Sequence, residues 1–100
     1  MYLLWSQRVG TYGVAGMASP ISPAAGSLGE RVRALRHKMG LSQEALAEHI
    51  GVHWTFLGQV ERGQRNISLH NLLKLAAGLG IDPGELVRGL KPPRESVKHR

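Results

Sequence analysis

The chain has 100 residues and no cysteine, which fits one small domain and excludes disulfide bridges and thiolate metal sites. Its formal net charge of +6 favours an anionic partner, of which nucleic acid is the first candidate. Residues 91–100 hold four lysines and arginines against one acid, which is half of the excess, so nucleic-acid binding must be judged from where the charges lie.

The longest early apolar run, Tyr2–Trp5, is far shorter than the ~20 residues that a membrane-spanning helix needs. The first residues also lack the basic region and the long apolar region of a signal peptide. We therefore expect no membrane association and a cytoplasmic location.

Residues 1–27 are rich in glycine, alanine, serine and proline and show no helical period. The segment Ser19–Pro23 contains prolines, which cannot continue a helix or a central strand. We expect residues 1–27 to form a disordered arm, with Met17 as an alternative start of the chain. The other interpretation is an arm that lies on DNA or on a partner protein.

From Leu28 to Leu90 the apolar residues recur at helical spacing, interrupted by glycines. The pattern predicts an all-α domain of five short helices over residues 28–90, with a basic flexible tail at residues 91–100. The tail is interpreted as a solvated charge run, with weak non-specific attraction to DNA as the alternative. The expected helix stops are Gly40, Gly51, Gly63 and Gly80. The expected N-caps are Ser42, Ser68 and Asp82.

The spacing also predicts which apolar residues face the core. In the first three helices these are Leu28, Val32, Leu35, Met39, Leu46, Ala47, Ile50, Leu57 and Val60. In the last two they are Leu69, Leu72, Leu73, Ala76, Leu79, Leu86, Val87 and Leu90. Val87 and Leu90 lie on more than one face of a short last helix, so we expect them to pack against a second subunit.

The segment from Ser42 to Glu61 has the properties of two helices joined by a tight turn. Ala47 is small, which allows the two helices to cross closely. Gly51 tolerates the positive φ that a short reversal needs. Apolar residues on both helices would fix the angle between them, so the outer face of the second helix would be free to meet DNA.

Three short motifs carry a family resemblance: GLSQEALA at residues 40–47, GV at residues 51–52 and VERG at residues 60–63. Together they resemble the Cro/repressor-type (XRE family) helix-turn-helix transcriptional regulators, which have a lambda-repressor-like DNA-binding domain. Within that family, Glu61–Leu69 resembles the controller proteins of restriction–modification systems.

The resemblance implies a division of labour among polar side chains. Those expected to reach base edges are Gln43, Trp54, Thr55 and Gln59. Those expected to contact the DNA backbone are Ser42, Arg62, Gln64, Arg65 and Asn66. The chemistry is suitable, because Gln59 can form a bidentate pair with adenine and Gln43 lies at a helix N-terminus, which favours phosphate. Backbone contacts set the register of the protein on DNA without reading sequence.

The resemblance also implies an internal ion pair between Arg36 and Glu61, which would tie the first helix to the end of the recognition helix. The alternative is two separate surface charges, which contribute little to stability.

Three residues of the recognition helix depart from the usual pattern. His53 stands at the N-cap, where serine or threonine is usual, so a weaker cap is expected. Gly58 lies in mid-helix, either for close approach of DNA or another helix, or as a tolerated gap. Trp54 either packs on a thymine methyl or sugar, which we favour, or covers the domain surface.

Other chemistry finds no support in the sequence. His49 and His53 are four apart, but Gly51 breaks the helix between them, so surface histidines are favoured over a zinc site. No Gly-rich phosphate loop, nucleophile elbow or catalytic carboxylate pair is present. We expect no enzyme activity, no cofactor and no metal.

The function predicted is sequence-specific binding of double-stranded DNA and regulation of transcription. We expect a homodimer on an inverted-repeat operator, with two recognition helices ~34 Å apart in successive major grooves. The alternative is an antitoxin-type or restriction–modification controller protein, in which a protein partner or autoregulation dominates.

Overall fold

The computed structural model describes residues 19–93, and every regular element within them is an α-helix. In chain order these are α1 (Pro23–Lys38), α2 (Gln43–Ile50), α3 (Trp54–Glu61), α4 (Leu69–Leu79) and α5 (Pro83–Val87). The predicted all-α fold of five helices is confirmed. None of these helices is long and apolar enough to cross a membrane. Residues 1–18 and 94–100, including Met17 and most of the predicted arm and tail, lie outside the described residues.

Helix α1 begins five residues earlier than the apolar spacing predicts. Ser22 is its N-cap, and the Ser22 Oγ accepts a hydrogen bond of 3.0 Å from the backbone N–H of Ala25. Pro23 follows at the first helical position, where a proline loses no hydrogen bond and has the right φ. The prediction that residues 23–27 belong to a disordered arm is therefore wrong, because the proline that we read as a helix breaker starts this helix.

The turn between α2 and α3 has the predicted geometry. Gly51 adopts a φ of 78°, in the left-handed region, and ends α2. The N–H groups of Gly51 and Val52 both donate to the carbonyl of Ala47, at 2.9 and 3.0 Å, which satisfies the free end of the helix. The chain thus reverses within three residues and starts α3 in a fixed direction.

The core is formed by apolar residues from all five helices. They are Leu28, Val32, Leu46, Ala47, Ile50, Leu57, Val60, Leu75, Ala76, Leu79 and Leu86. Helix α2 packs against α4 where Ile50 covers Gly78, and a Cβ at Gly78 would overlap the Ile50 Cγ2. These contacts hold α2 while leaving one side of α3 uncovered.

The inward face of α4 differs from the prediction. Leu69 is 70% exposed and Leu73 is 45% exposed, whereas Leu75, which the spacing did not select, is fully buried. The five leucines of α4 lie within one broad arc of about 160°, so their spacing alone could not decide which edge of that arc faces inward. Met39, predicted to face inward from α1, is also exposed, because it lies beyond the last turn of that helix.

Helix α5 packs its single buried residue, Leu86, into the core, and Arg31 donates a hydrogen bond of 3.0 Å to the Leu86 carbonyl. Asp82 caps the helix, since its Oδ2 accepts from the N–H of Gly84 at 2.8 Å. Val87 is 39% exposed and Leu90 is half-buried. Leu69 and Leu73 on α4 and Val87 on α5 thus leave large apolar side chains at the surface.

Candidate nucleic-acid interface

The C-terminal end of α3 is anchored by a buried ion pair. Arg36 Nε and Nη2 donate to the two carboxylate oxygens of Glu61 at 2.6 and 3.0 Å. The Arg36 side chain is 9% exposed and the Glu61 side chain is completely buried. Arg36 Nη1 also donates to the carbonyl of Leu41 at 2.8 Å. This geometry is bidentate and fully bonded, which is the arrangement in which a buried ion pair stabilises a fold.

Glu61 accepts a further hydrogen bond, from the Nε2 of Gln43 at 2.9 Å. Arg33 lies near the same carboxylate, with its Nε 3.7 Å from Glu61 Oε1 and 41% of its side chain exposed. One buried carboxylate therefore connects α1, the start of α2 and the end of α3. These bonds and the apolar core together set the orientation of α3 relative to α1 and α2.

Helix α1 also touches the end of α3 directly. Gly29 lies against the carbonyl oxygens of Val60 and Glu61, where a Cβ would have no room. Just before α1, the N–H of Ile21 donates to the carbonyl of Gly63 at 2.8 Å. Ile21 is thus tied to the chain just after α3, a contact that the sequence did not indicate.

The N-terminal end of α3 carries the exposed candidates for base contact. Trp54 is 51% exposed and Thr55 is exposed, while Gln59 is half-buried further along the helix. The His53 ring stacks on Trp54, with the ring centroids 5.8 Å apart and the ring planes 25° apart. His53 also caps α3, since its Nδ1 accepts from the N–H of Thr55 at 3.1 Å. The departure from serine or threonine thus keeps a cap and adds a neighbour for Trp54.

The candidate backbone contacts lie at the start of α2 and after α3. Ser42 is exposed, and its Oγ caps α2 by accepting from the N–H of Ala45 at 3.0 Å. After α3, Arg62 is exposed, and its Nε donates to Gln64 Oε1 at 3.4 Å. Both arrangements leave polar groups at the surface beside the exposed side of α3.

Arg65 and Asn66 are exposed in the loop that leads to α4. The Arg65 guanidinium lies 4.9 Å from the centre of the Phe56 ring, a distance at which a cation and an aromatic face attract each other. Phe56 is a residue that sequence reasoning missed. Its partner comes nine positions later, in a loop, so no helical spacing connects the two.

Gly58 is buried in the middle of α3. An ideal Cβ there would lie 3.3 Å from Arg62 Nη1 and 3.4 Å from Gln43 Oε1. The close neighbours of Gly58 are therefore two polar side chains, and not the backbone of another helix.

Residues 19–93 contain no group of three or more histidine, aspartate or glutamate side chains that could hold a metal ion. Arg36 and Glu61 are brought together by the structure, and so are Gln43, Arg62 and Gln64 around the end of α3. Trp54, Thr55, Arg65 and Asn66 stand at the surface on α3 and in the following loop.

A short exposed helix held at a fixed angle by a tight turn and a preceding helix defines the helix-turn-helix class of DNA-binding domains. The family model HTH_3, described as helix-turn-helix, matches residues 32–86. The chain therefore belongs to this family, and it is a DNA-binding transcriptional regulator of the XRE type. Its relatives are regulators of this kind and not enzymes.

Similar proteins include controllers and phage repressors. Control protein C.SmaI of Serratia marcescens is 46% identical over 66 residues, covering 64% of this chain and 79% of that protein. The restriction-modification controller protein C.AhdI from Aeromonas hydrophila has 53% identity and a TM-score of 0.61, covering 62% of this chain and 94% of that structure. The P22 c2 repressor of a Salmonella phage, solved in complex with a synthetic operator, has 37% identity and a TM-score of 0.59, with coverages of 62% and 94%.

Proposed function

We propose that this protein binds an inverted-repeat operator as a homodimer and regulates transcription by occupying it. The observation that carries the proposal is the anchoring of α3, because the buried pair of Arg36 and Glu61 fixes one end of a helix whose outer side is uncovered. Two such helices related by a twofold axis would enter successive major grooves ~34 Å apart.

The polar side chains divide into two groups in this proposal. Trp54, Thr55 and Gln59 on α3 face base edges, with Gln43 beside them at the start of α2. The groups that hold the DNA backbone are Ser42, Arg62, Gln64, Arg65 and Asn66. The exposure of Trp54, stacked on His53, supports contact with a thymine methyl group or a sugar.

The dimer would form through α4, α5 and the residues that follow. Leu69, Leu73 and Val87 are large apolar side chains exposed on α4 and α5, and a second subunit would cover them. Val87 and Leu90 line the same cleft as Leu72 of α4, which joins the two helices into one surface. A second copy of the chain is the occupant that an inverted repeat requires.

A charge in this surface tests the dimer. Leu73→Glu should convert the dimer to a monomer in sedimentation equilibrium and weaken operator binding by at least ~10-fold, because each half-site would bind alone. Met39→Glu is the matched control, since Met39 has the same 45% exposure on another part of the domain. A Leu73→Glu protein that sediments like the wild type would place the dimer contact elsewhere.

The names of the relatives support a more specific role. Proteins similar to this chain are control proteins of restriction–modification systems, and Glu61–Leu69 resembles that group. We therefore propose that the operator lies beside the genes of a restriction–modification system, and that the protein also regulates its own synthesis. A toxin gene beside this gene, and a stable complex of the two products, would instead support the antitoxin-type alternative.

Selection from random duplexes by the purified protein tests sequence-specific binding directly. We expect enrichment of a palindromic motif whose half-sites are separated by one helical turn, ~10 base pairs. A lack of any enriched motif at low salt would overturn the proposal. An enriched single half-site without symmetry would keep DNA binding but contradict the homodimer.

A further inference from the structure

The glycine in the middle of α3 lowers the stability of the helix, and its backbone conformation does not require a glycine. Gly58 lies between Leu57 and Gln59 in a regular helix, and its φ is not among the positive values of the described residues. Alanine would stabilise a helix at such a position. What glycine contributes here is the absence of a side chain.

Two side chains of the candidate interface lie close to the position that a Cβ at Gly58 would take. The Gln43 Oε1 lies 3.4 Å from that point and the Arg62 Nη1 lies 3.3 Å from it. They arrive from different directions, since Gln43 belongs to the start of α2 and Arg62 follows the end of α3. An amide oxygen and a guanidinium nitrogen therefore both lie beside Gly58.

The position of Gln43 is determined from its other side as well. Its Nε2 donates to the buried carboxylate of Glu61 at 2.9 Å, and a carboxylate can only accept there. This bond turns the amide so that its oxygen lies over Gly58. Arg62 is likewise directed, through the bond from its Nε to Gln64 at 3.4 Å.

We propose that Gly58 is a positioning residue for operator binding, because its missing side chain lets Gln43 and Arg62 lie side by side against α3. The inference rests on the proposed binding of DNA. It assigns Gly58 a role through these two side chains, without contact between Gly58 and DNA. A larger residue would lift Gln43 from Glu61 and move Arg62, while the helix itself would remain.

A graded pair of substitutions separates this role from a purely structural one. Gly58→Ala should raise the Tm by a few degrees, as a gain in helix propensity does, and still weaken operator binding measurably. Gly58→Leu should weaken binding about 10-fold, the loss expected when one strong hydrogen bond to DNA is no longer positioned. Stability and affinity would thus change in opposite directions in the alanine variant.

The matched control is Gly26→Ala in α1. Gly26 is also a helical glycine, and its Cβ would meet only Pro20 atoms at 3.3 Å, outside the candidate interface. This variant should bind the selected operator like the wild type.

A double variant tests whether Gly58 acts through Gln43. Gly58→Leu combined with Gln43→Ala should weaken operator binding by less than the sum of the losses in the two single variants.

The side-chain amide signals of Gln43 in a ¹⁵N NMR spectrum give a readout that needs no DNA. They should shift and exchange faster in Gly58→Leu, and stay in place in Gly26→Ala. Unchanged Gln43 signals with unchanged affinity in Gly58→Leu would overturn the inference, as would fully additive effects with Gln43→Ala. Absence of selective binding by the wild type would overturn the proposed function instead, while the Gln43 signals would still test the placement over Gly58.

Discussion

The two ends of α3 are held in different ways. At the C-terminal end, Glu61 is buried with Arg36, and Gly29 of α1 lies directly on the backbone carbonyls. At the N-terminal end, Trp54 is half exposed, and His53 caps the helix through a surface hydrogen bond of 3.1 Å. One end is thus fixed by buried charge and close packing, and the other by surface contacts.

This difference separates orientation from recognition. A change at the buried end leaves a charge or a carbonyl without its partner, so it affects the whole fold. A change at the exposed end replaces one surface side chain with another, so it affects DNA contacts with little effect on folding. The same frame can therefore present different side chains to different base pairs.

The largest effect on stability is expected at the buried end. Glu61→Ala should lower the free energy of unfolding by about 3–5 kcal/mol, because the charge of Arg36 would stay buried without its carboxylate partner. Urea denaturation followed by circular dichroism measures this. The control at the other end is Trp54→Ala, whose half-exposed side chain leaves no buried charge behind when it is removed.

Equal urea midpoints for Glu61→Ala and Trp54→Ala would contradict the difference between the two ends of α3.

A double variant, Arg36→Met with Glu61→Leu, tests whether the unpaired charge causes the loss of stability. Replacing both charges by apolar residues should recover most of the stability that Glu61→Ala loses. Operator binding should remain weak, however, since Gln43 would have lost the acceptor that directs it.

The next largest loss of stability is expected from a change in the close packing at the same end of α3. Gly29→Ala should destabilise the protein by about 1–3 kcal/mol, the cost of forcing a methyl group into a filled space. Its Cβ would meet the carbonyl oxygens of Val60 and Glu61, which cannot move without shifting α3. Thermal unfolding beside Gly26→Ala in the same helix measures the difference. Similar Tm values for these two variants would mean that α1 and α3 are free to separate.

A smaller loss is expected at the exposed end. His53→Ala removes the N-cap of α3 and should cost roughly 1 kcal/mol, as other caps do. His53→Ser should restore that stability, because a serine hydroxyl caps in the same way, but it should not restore the stacking on Trp54. Operator affinity should therefore stay below that of the wild type in His53→Ser. Wild-type affinity in this variant would show that the stacked ring has no role in recognition.

The local parts of the fold could be predicted from the sequence. Ser42, Gly51, Ser68 and Asp82 start or end helices as expected, because a cap depends on residues within one turn. The start of α1 could not be predicted as easily, since Ser22-Pro23 is a start signal inside a segment that otherwise looks irregular. The comparable pair Asp82-Pro83 is easier to interpret, because a helical pattern follows it at once.

Features that depend on distant contacts were harder to predict. The family resemblance pointed to Arg36 and Glu61 as partners, yet nothing in the spacing indicated that Gln43 would join them. The contact between Phe56 and Arg65 joins a helix to a loop and follows no period. The leucines of α4 form one broad arc, so only the packing of this helix against its neighbours decides which of them are buried.

The smallest effect on folding, and the sharpest on recognition, is expected from two polar residues outside the anchor. Gln59→Ala should change the preference at one base pair by about 1–3 kcal/mol, because Gln59 would read a single base edge. Arg65→Ala should weaken every site alike and lower the slope of log affinity against log salt by about 1, because a phosphate contact releases a counterion. Binding to all single base-pair variants of the selected operator, at several salt concentrations, measures both. Since neither residue supports the buried ion pair, both proteins should unfold close to the wild-type urea midpoint. The reverse pattern, a uniform loss for Gln59→Ala and a change of preference for Arg65→Ala, would show that the loop reads bases while α3 sets the register.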